Sequence, residues 1–131
     1  MSDNGSRKKI LLAEDHPPLR KVIGDMLRSA GYEVVLAEDG QVAVEKATRE
    51  RPDLVITDRV MPRMHGFQVC QAVKELDPPP RVIVLTAAYS DPDHETEARS
   101  VYGADDFLTK PFKRADLLGC IERQLAEKLV A

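Results

Sequence analysis

The chain has no apolar run approaching the roughly 18 residues that a membrane span requires, and its N-terminus lacks the apolar core of a signal peptide. A cytoplasmic protein with no membrane contact is therefore expected. Basic residues are nowhere concentrated. The run Arg7-Lys8-Lys9 is short and leads straight into a strand, and the formal net charge is -3. Direct nucleic-acid binding is disfavoured, because phosphate recognition needs clustered Lys and Arg. Cysteine is scarce too. Cys70 and Cys120 fall in segments of helical periodicity, lack CxxC or Cys/His spacing, and read as half-buried free thiols. His16, His65 and His94 show no ligand spacing and read as solvated loop or helix-start residues. What is present is ordinary for a globular domain, with 43% hydrophobic and 31% charged residues in 131. That length holds one core and no second folded unit. Residues 1–7 read as a loose polar tail and residues 8–131 as the domain.

Five apolar segments alternate with five helical patterns. Strand one starts at Lys9 and ends in Glu14-Asp15 before His16-Pro17-Pro18, prolines that suit the first turn of a helix. That helix sets Leu19, Val22, Ile23, Met26, Leu27 and Ala30 on one face and closes at Gly31. Strand two is Glu33 to Leu36, and Asp39-Gly40 is a turn. The helix from Gln41 to Arg51 turns Ala43, Val44 and Ala47 inward. Leu54 to Thr57 is a short strand without alternation, the mark of burial on both faces, and it delivers Asp58 at its carboxyl end. Phe67 to Leu76 carries Val69, Cys70, Val73 and Leu76 on one face and is stopped by Asp77-Pro78-Pro79-Pro80. Strand four runs from Arg81 to Thr86. The fourth helix, Pro92 to Tyr102, is polar and weakly patterned, and is expected to be the least stable of the fold. Asp106 to Thr109 is strand five, and Arg114 to about Val130 the fifth helix, with Leu117, Leu118, Ile121, Leu125 and Leu129 inward. Alternating strands and helices with short connections predict a doubly wound parallel sheet.

Every polar residue that interrupts these strands does so at a carboxyl end: Glu14, Asp15, Asp58, Thr86 and Lys110. A parallel sheet brings those ends to one edge, where ligands bind. Three carboxylates there repel one another, and a hard divalent cation with oxygen ligands, Mg2+, is the natural neutraliser. Lys110 adds a positive charge and Thr86 a hydroxyl. The crevice is built to hold negative charge, both its own and that of an anion that arrives later.

These residues resemble the receiver domains of two-component response regulators. The resemblance rests on Glu14-Asp15, on Asp58-x-x-Met61-Pro62-x-x-x-Gly66, on Thr86-Ala87, and on the run from Gly103 through Lys110-Pro111 to Phe112. It spans roughly residues 8 to 130. It implies a flavodoxin-like sheet in the order 2-1-3-4-5 with five helices. Asp58 would accept a phosphoryl group from the phosphohistidine of a sensor histidine kinase or a histidine phosphotransfer protein. Mg2+ would be held by Asp15, Asp58 and the Val60 carbonyl, with Glu14 acting through a coordinated water. Lys110 and Thr86 would bind the phosphoryl oxygens, Phe107 would change rotamer with phosphorylation, and the Lys110-Pro111 bond would be cis. The surface of the fourth helix, fifth strand and fifth helix would then control a downstream protein or an output domain. The domain would be a monomer or a phosphorylation-dependent homodimer, and no enzyme beyond its own phosphorylation and dephosphorylation.

Some positions depart from the commonest family pattern. Glu14 stands where Asp is usual and lengthens the reach to the metal, and Phe107 replaces a frequent Tyr and loses its hydroxyl contact. Phe107 also fits plain core filling. Val60 and Ala88 offer no polar group to orient a water, so a long-lived phosphoform is expected. Two other classes fit part of the pattern: a constitutive docking module with an idle acidic pocket, and a phosphatase with an aspartate nucleophile. The haloacid dehalogenase class of such phosphatases expects a DxD pair after its first strand, whereas this strand ends Glu14-Asp15-His16. No output domain follows the fifth helix in these residues, which suits a stand-alone regulator or the receiver of a longer protein.

Overall fold

The structure is a computed structural model that describes residues 7–86 and 103–130. The strands are β1 (Lys9–Ala13), β2 (Glu33–Ala37), β3 (Leu54–Asp58), β4 (Arg81–Thr86) and β5 (Asp106–Thr109). They form one parallel sheet in the order β2-β1-β3-β4-β5. The helices among the described residues are α1 (Pro17–Ser29), α2 (Gly40–Glu50), α3 (Gly66–Val73) and the last helix, Arg114–Val130. The predicted fourth helix, residues 92–102, lies outside the described residues, as do Ala87, Ala88 and nearly all of the predicted tail. No helix among the described residues is long and apolar enough to cross a membrane.

Successive strand side chains point to opposite faces, so each strand feeds two cores. Leu11, Ala13, Val55, Val82 and Val84 pack with Ala43 and Ala47 of α2 and with Val69, Cys70 and Val73 of α3. Ile10, Leu12, Leu54, Ile56, Ile83 and Leu85 pack on the other face with Ile23 and Leu27 of α1 and with Leu117, Ile121 and Leu125 of the last helix. Burial on both faces is why the strands read as unbroken apolar runs.

Three details differ from the sequence reading. Val22 is 50% exposed and Ala30 is exposed, because the stripe of α1 that meets the sheet is narrower than its apolar pattern, with Ile23, Gly24 and Leu27 at its centre. Helix α3 ends at Val73 rather than Leu76. Beyond it the chain tightens into bonds from Glu75 N to Ala72 O and from Leu76 N to Val73 O, while Lys74 Nζ turns to the Pro80 carbonyl and the Asp105 carboxylate. Both cysteines are fully buried rather than half-buried. Burial pushes both thiols up to about 12, with the Asp106 carboxylate adding to the effect at Cys120. They are inert as nucleophiles.

Two neighbouring aspartates fasten β5. Asp105 accepts from Lys74 Nζ, from Arg81 Nη1 at 3.0 Å and from the Val82 N–H at 2.8 Å, tying the end of α3 to the starts of β4 and β5. Asp106 accepts from Cys120 Sγ at 3.2 Å and Gln124 Nε2 at 3.3 Å on the last helix. At the opposite edge, Glu33 N donates to Lys8 O and Glu14 N to Ala37 O. The odd-numbered residues of β2 therefore bond to the β1 side and the even-numbered ones face outward. Lys46 Nζ of α2 occupies the outward Leu36 carbonyl at 2.7 Å. Asp105→Ala would strand two cations and a buried amide, and is expected to cost about 3 kcal/mol in urea denaturation. A loss below about 1 kcal/mol, the scale of an ordinary surface change, would show that the staple is ornamental.

Candidate functional site

The site forms where β1, β3 and β5 end on one edge of the sheet. Glu14 follows β1 directly and is buried at 1% exposure, while the neighbouring Asp15 is exposed. Glu14 is held there by its own backbone: its N–H donates to Ala37 O, and its carbonyl accepts from Arg20 Nη1 at 2.8 Å. Its Oε2 accepts from the His16 N–H at 3.2 Å. Two prolines then open α1 and turn the chain away. Asp58 is the last residue of β3. Its Oδ1 accepts from the Arg59 N–H at 3.0 Å and pairs with Lys110 Nζ at 3.1 Å.

Lys110 comes from the loop after β5, two strands away from Asp58 in a sheet whose strands lie about 4.8 Å apart, so only a long side chain can span the gap. Its own N–H donates to the Thr86 carbonyl at 2.8 Å, which fixes where that span begins, and its bond to Pro111 is cis. Its ammonium reaches Glu14 Oε1 at 3.3 Å as well as Asp58. Burial pulls the Lys110 ammonium down, but the bonds and charges of Asp58 and then Glu14 outweigh this and hold it above the ordinary lysine range.

Glu14, Asp15 and Asp58 each offer an oxygen within 4.8 Å of the others. One ammonium among three carboxylates leaves negative charge in excess. Its mark is the Glu14 carboxyl, raised first by burial and second by Asp58, and only partly drawn back by the His16 N–H and Lys110. This donor set, all hard oxygens with uncompensated charge, fits a magnesium-type cation. Thr86 ends β4 beside it, 2% exposed, and its Oγ1 has no partner among the described residues. A buried hydroxyl without an acceptor costs roughly 1–3 kcal/mol, so the position suits an anion that supplies one. Val60 is 73% exposed just after Asp58. Phe107 is half-buried, opposite Val84 in β4, and packs on the core shared with α2 and α3.

The structure thus brings Glu14, Asp15, Asp58 and Lys110 together, sets Thr86 one strand from Asp58, and leaves Phe107 behind them in the core. It adds Arg20, which holds the Glu14 carbonyl, and Asp39, which reads in the sequence only as part of a turn. Asp39 is the N-cap of α2, its Oδ1 accepting from the Val42 N–H at 2.9 Å. Aspartate just before an apolar helical pattern is the signal that would have found it.

The raised carboxyl has a measurable sign. The folded domain holds the Glu14 proton more tightly than the unfolded chain, so the stability this contributes is full below the ordinary value of 4.5 and is lost as pH rises through the raised one. Glu14→Gln should therefore stabilise the metal-free protein near neutrality and flatten the decline of stability above pH 4.5. Urea titrations in EDTA across that range check it, and superimposable profiles for variant and wild type would contradict it.

A family model described as the response regulator receiver domain matches residues 10–122. The chain is 41% identical over 124 residues to the transcriptional regulatory protein PdtaR of Mycobacterium tuberculosis, covering 92% of this chain and 58% of that protein. It is 39% identical over 128 residues to the probable transcriptional regulator ycf27 of Galdieria sulphuraria, covering 94% and 49%. The chain thus spans about half the length of the curated relatives it matches. Among solved structures, it is similar to the receiver domain of a sensor histidine kinase from Pseudomonas aeruginosa, with a TM-score of 0.80, 37% identity and coverage of 92% and 98%. That structure has a magnesium ion coordinated in its active-site cleft.

Proposed function

Because the chain belongs to the response regulator receiver domains, we propose that it is a phosphorylation-driven binding switch whose acceptor is Asp58. What supports this most is the Lys110 ammonium lodged between Asp58 and Glu14 in a pocket with negative charge to spare. The donor is the phosphohistidine of a sensor histidine kinase or a histidine phosphotransfer protein. An Asp58 carboxylate oxygen forms the new O–P bond as the N–P bond of the donor breaks, and the bonding pair stays on the imidazole nitrogen. Oδ2, which has no donor among the described residues, keeps its lone pairs available for this attack.

Glu14, Asp15, Asp58 and the Val60 carbonyl would hold Mg2+, Glu14 through a coordinated water. When bound, the ion would supply charge neutralisation at the transferring oxygens. Lys110 adds a second positive group, and transfer of this kind needs positioning and charge rather than further covalent chemistry. The protein thereby promotes only its own phosphorylation and dephosphorylation.

An acyl phosphate adds nearly two negative charges and new acceptor oxygens. Thr86 Oγ1 gains the partner it lacks, and its inward movement opens space for Phe107. The surface shared by the predicted fourth helix, β5 and the last helix then presents another face to a downstream protein or output domain. Contacts worth roughly 5 kcal/mol are needed to move such a state from rare to dominant.

A groove of about 540 Å³ between α1 and the loop after β5 includes Lys110 in its wall and has the exposed Val22 on its rim. A donor seated there would touch Lys110, the residue that pairs with Asp58. Intact mass and partner binding after treatment with Mg2+ and acetyl phosphate test the whole reading. The protein should gain one phosphoryl group and change its affinity for the partner. Unchanged mass with partner binding intact would instead identify a constitutive docking module.

A further inference from the structure

The loop from Arg59 to His65, which carries the Val60 carbonyl, is fastened at both ends. At its start the Arg59 guanidinium lies 5.3 Å from the centre of the buried Phe67 ring. At its close the Gly66 N–H donates to Arg59 O at 2.7 Å, and a Cβ on Gly66 would stand 2.2 Å from Asp58 O. These contacts fix the stem and leave the middle to be placed by something else.

The first residues of α2 do this. Arg63 sits in the left-handed region at φ 70°, with its Nε 3.7 Å from Asp39 Oδ2. The Met64 carbonyl is pressed against Gly40 so closely that a Cβ there would stand 1.7 Å from Met64 O and 2.6 Å from Met64 C. Only glycine admits this contact, and since both partners are backbone, neither can rotate aside. Asp39 is itself immobilised, buried and capping α2. It lies two residues beyond Ala37, whose carbonyl takes the Glu14 N–H. One short stretch of chain therefore touches both the strand end that carries Glu14 and the loop that carries Val60.

The geometry points to Asp39 and Gly40 as positioning residues that set the β3–α3 loop over the acidic pocket and so fix the Val60 carbonyl relative to the carboxylates. This rests on the pocket being a Mg2+ site. Metal–oxygen bonds tolerate about 0.2 Å of displacement, far less than a methyl group at position 40 would impose. The strained Arg63 conformation fits the same role, since strain is kept where surroundings over-determine a functional loop.

Two variants test it, each with and without metal. Gly40→Ala should weaken Mg2+ binding by about tenfold, the loss expected when an outer support is displaced. In EDTA it should also speed amide exchange at Gly66. Arg63→Gly removes both the ion pair and the left-handed constraint on a non-glycine residue, so it should keep or gain stability in urea while still binding Mg2+ roughly threefold more weakly. A purely structural role would leave the Mg2+ affinity of Arg63→Gly unmoved, so this variant decides the matter should Gly40→Ala not fold. Mg2+ affinities within about twofold of wild type in the folded variants overturn the positioning alone. Wild-type protein that binds no Mg2+ overturns the metal-site reading beneath it.

Discussion

Asp58→Asn should gain no phosphoryl group from acetyl phosphate and Mg2+ under conditions that label the wild type, and should do so while remaining fully folded. The replacement is isosteric, so Lys110, Thr86 and the loop after β3 keep their places, but the amide oxygen is no nucleophile. The site should become calmer without the charge. Asp58 is the second cause, after burial, of the raised Glu14 carboxyl, and removing it leaves Lys110 to satisfy Glu14 alone. The metal-free variant should therefore be at least as stable as wild type near neutrality. Its Mg2+ affinity should fall, since one of three clustered carboxylates is gone. Intact-mass measurement and urea titration together are decisive. Labelling that persists in the variant would move the acceptor to Asp15 or Glu14, and joint loss of labelling and folding would void the test as evidence for a nucleophile.

Lys110→Ala should move metal binding and phosphorylation in opposite directions. Its ammonium touches Asp58 at 3.1 Å and Glu14 at 3.3 Å, two of the carboxylates whose charge a cation would neutralise. Two unit charges about 4 Å apart interact by roughly 4 kcal/mol at the effective dielectric of a protein surface, so even partial relief of this competition should tighten Mg2+ binding by about tenfold. Without metal, the variant leaves Glu14 and Asp58 facing each other and should lose about 3 kcal/mol of stability, much of it restored by Mg2+. Phosphoryl uptake should nevertheless slow by about 10²-fold or more, because a preorganised positive group at the transferring oxygens is missing. Titration calorimetry and the rate of mass gain separate the two effects. Equal labelling rates for variant and wild type would remove Lys110 from the chemistry.

Both predictions rest on residues that the sequence alone makes legible. Parallel strands buried on two faces appear as short apolar runs, and the first polar residue after each run marks its carboxyl end. That rule located Glu14, Asp58, Thr86 and Lys110 together with the sheet that gathers them. The strand order follows from the family resemblance and not from the apolar runs. Illegible were features that depend on what lies opposite. Val22 belongs to the apolar pattern of α1 yet faces a groove, because periodicity gives the direction of a stripe and not its width. Helix α3 stops early because Lys74 has partners at Pro80 and Asp105 that no local pattern reveals. Gly40 looked like half of a turn. Its closeness to Met64 depends on tertiary approach between segments 24 residues apart in number, which spacing does not encode.

A parallel sheet that closes on nothing has two margins, each a potential template for another chain's backbone. Here one margin has its outward Leu36 carbonyl taken by Lys46, and the other is a strand of only four residues led by the anchored pair Asp105 and Asp106. Stacking of domains into extended intermolecular β-structure is thereby discouraged at both ends. A signalling module can then accumulate to high local concentration and stay available for reversible encounters instead of condensing with its own copies.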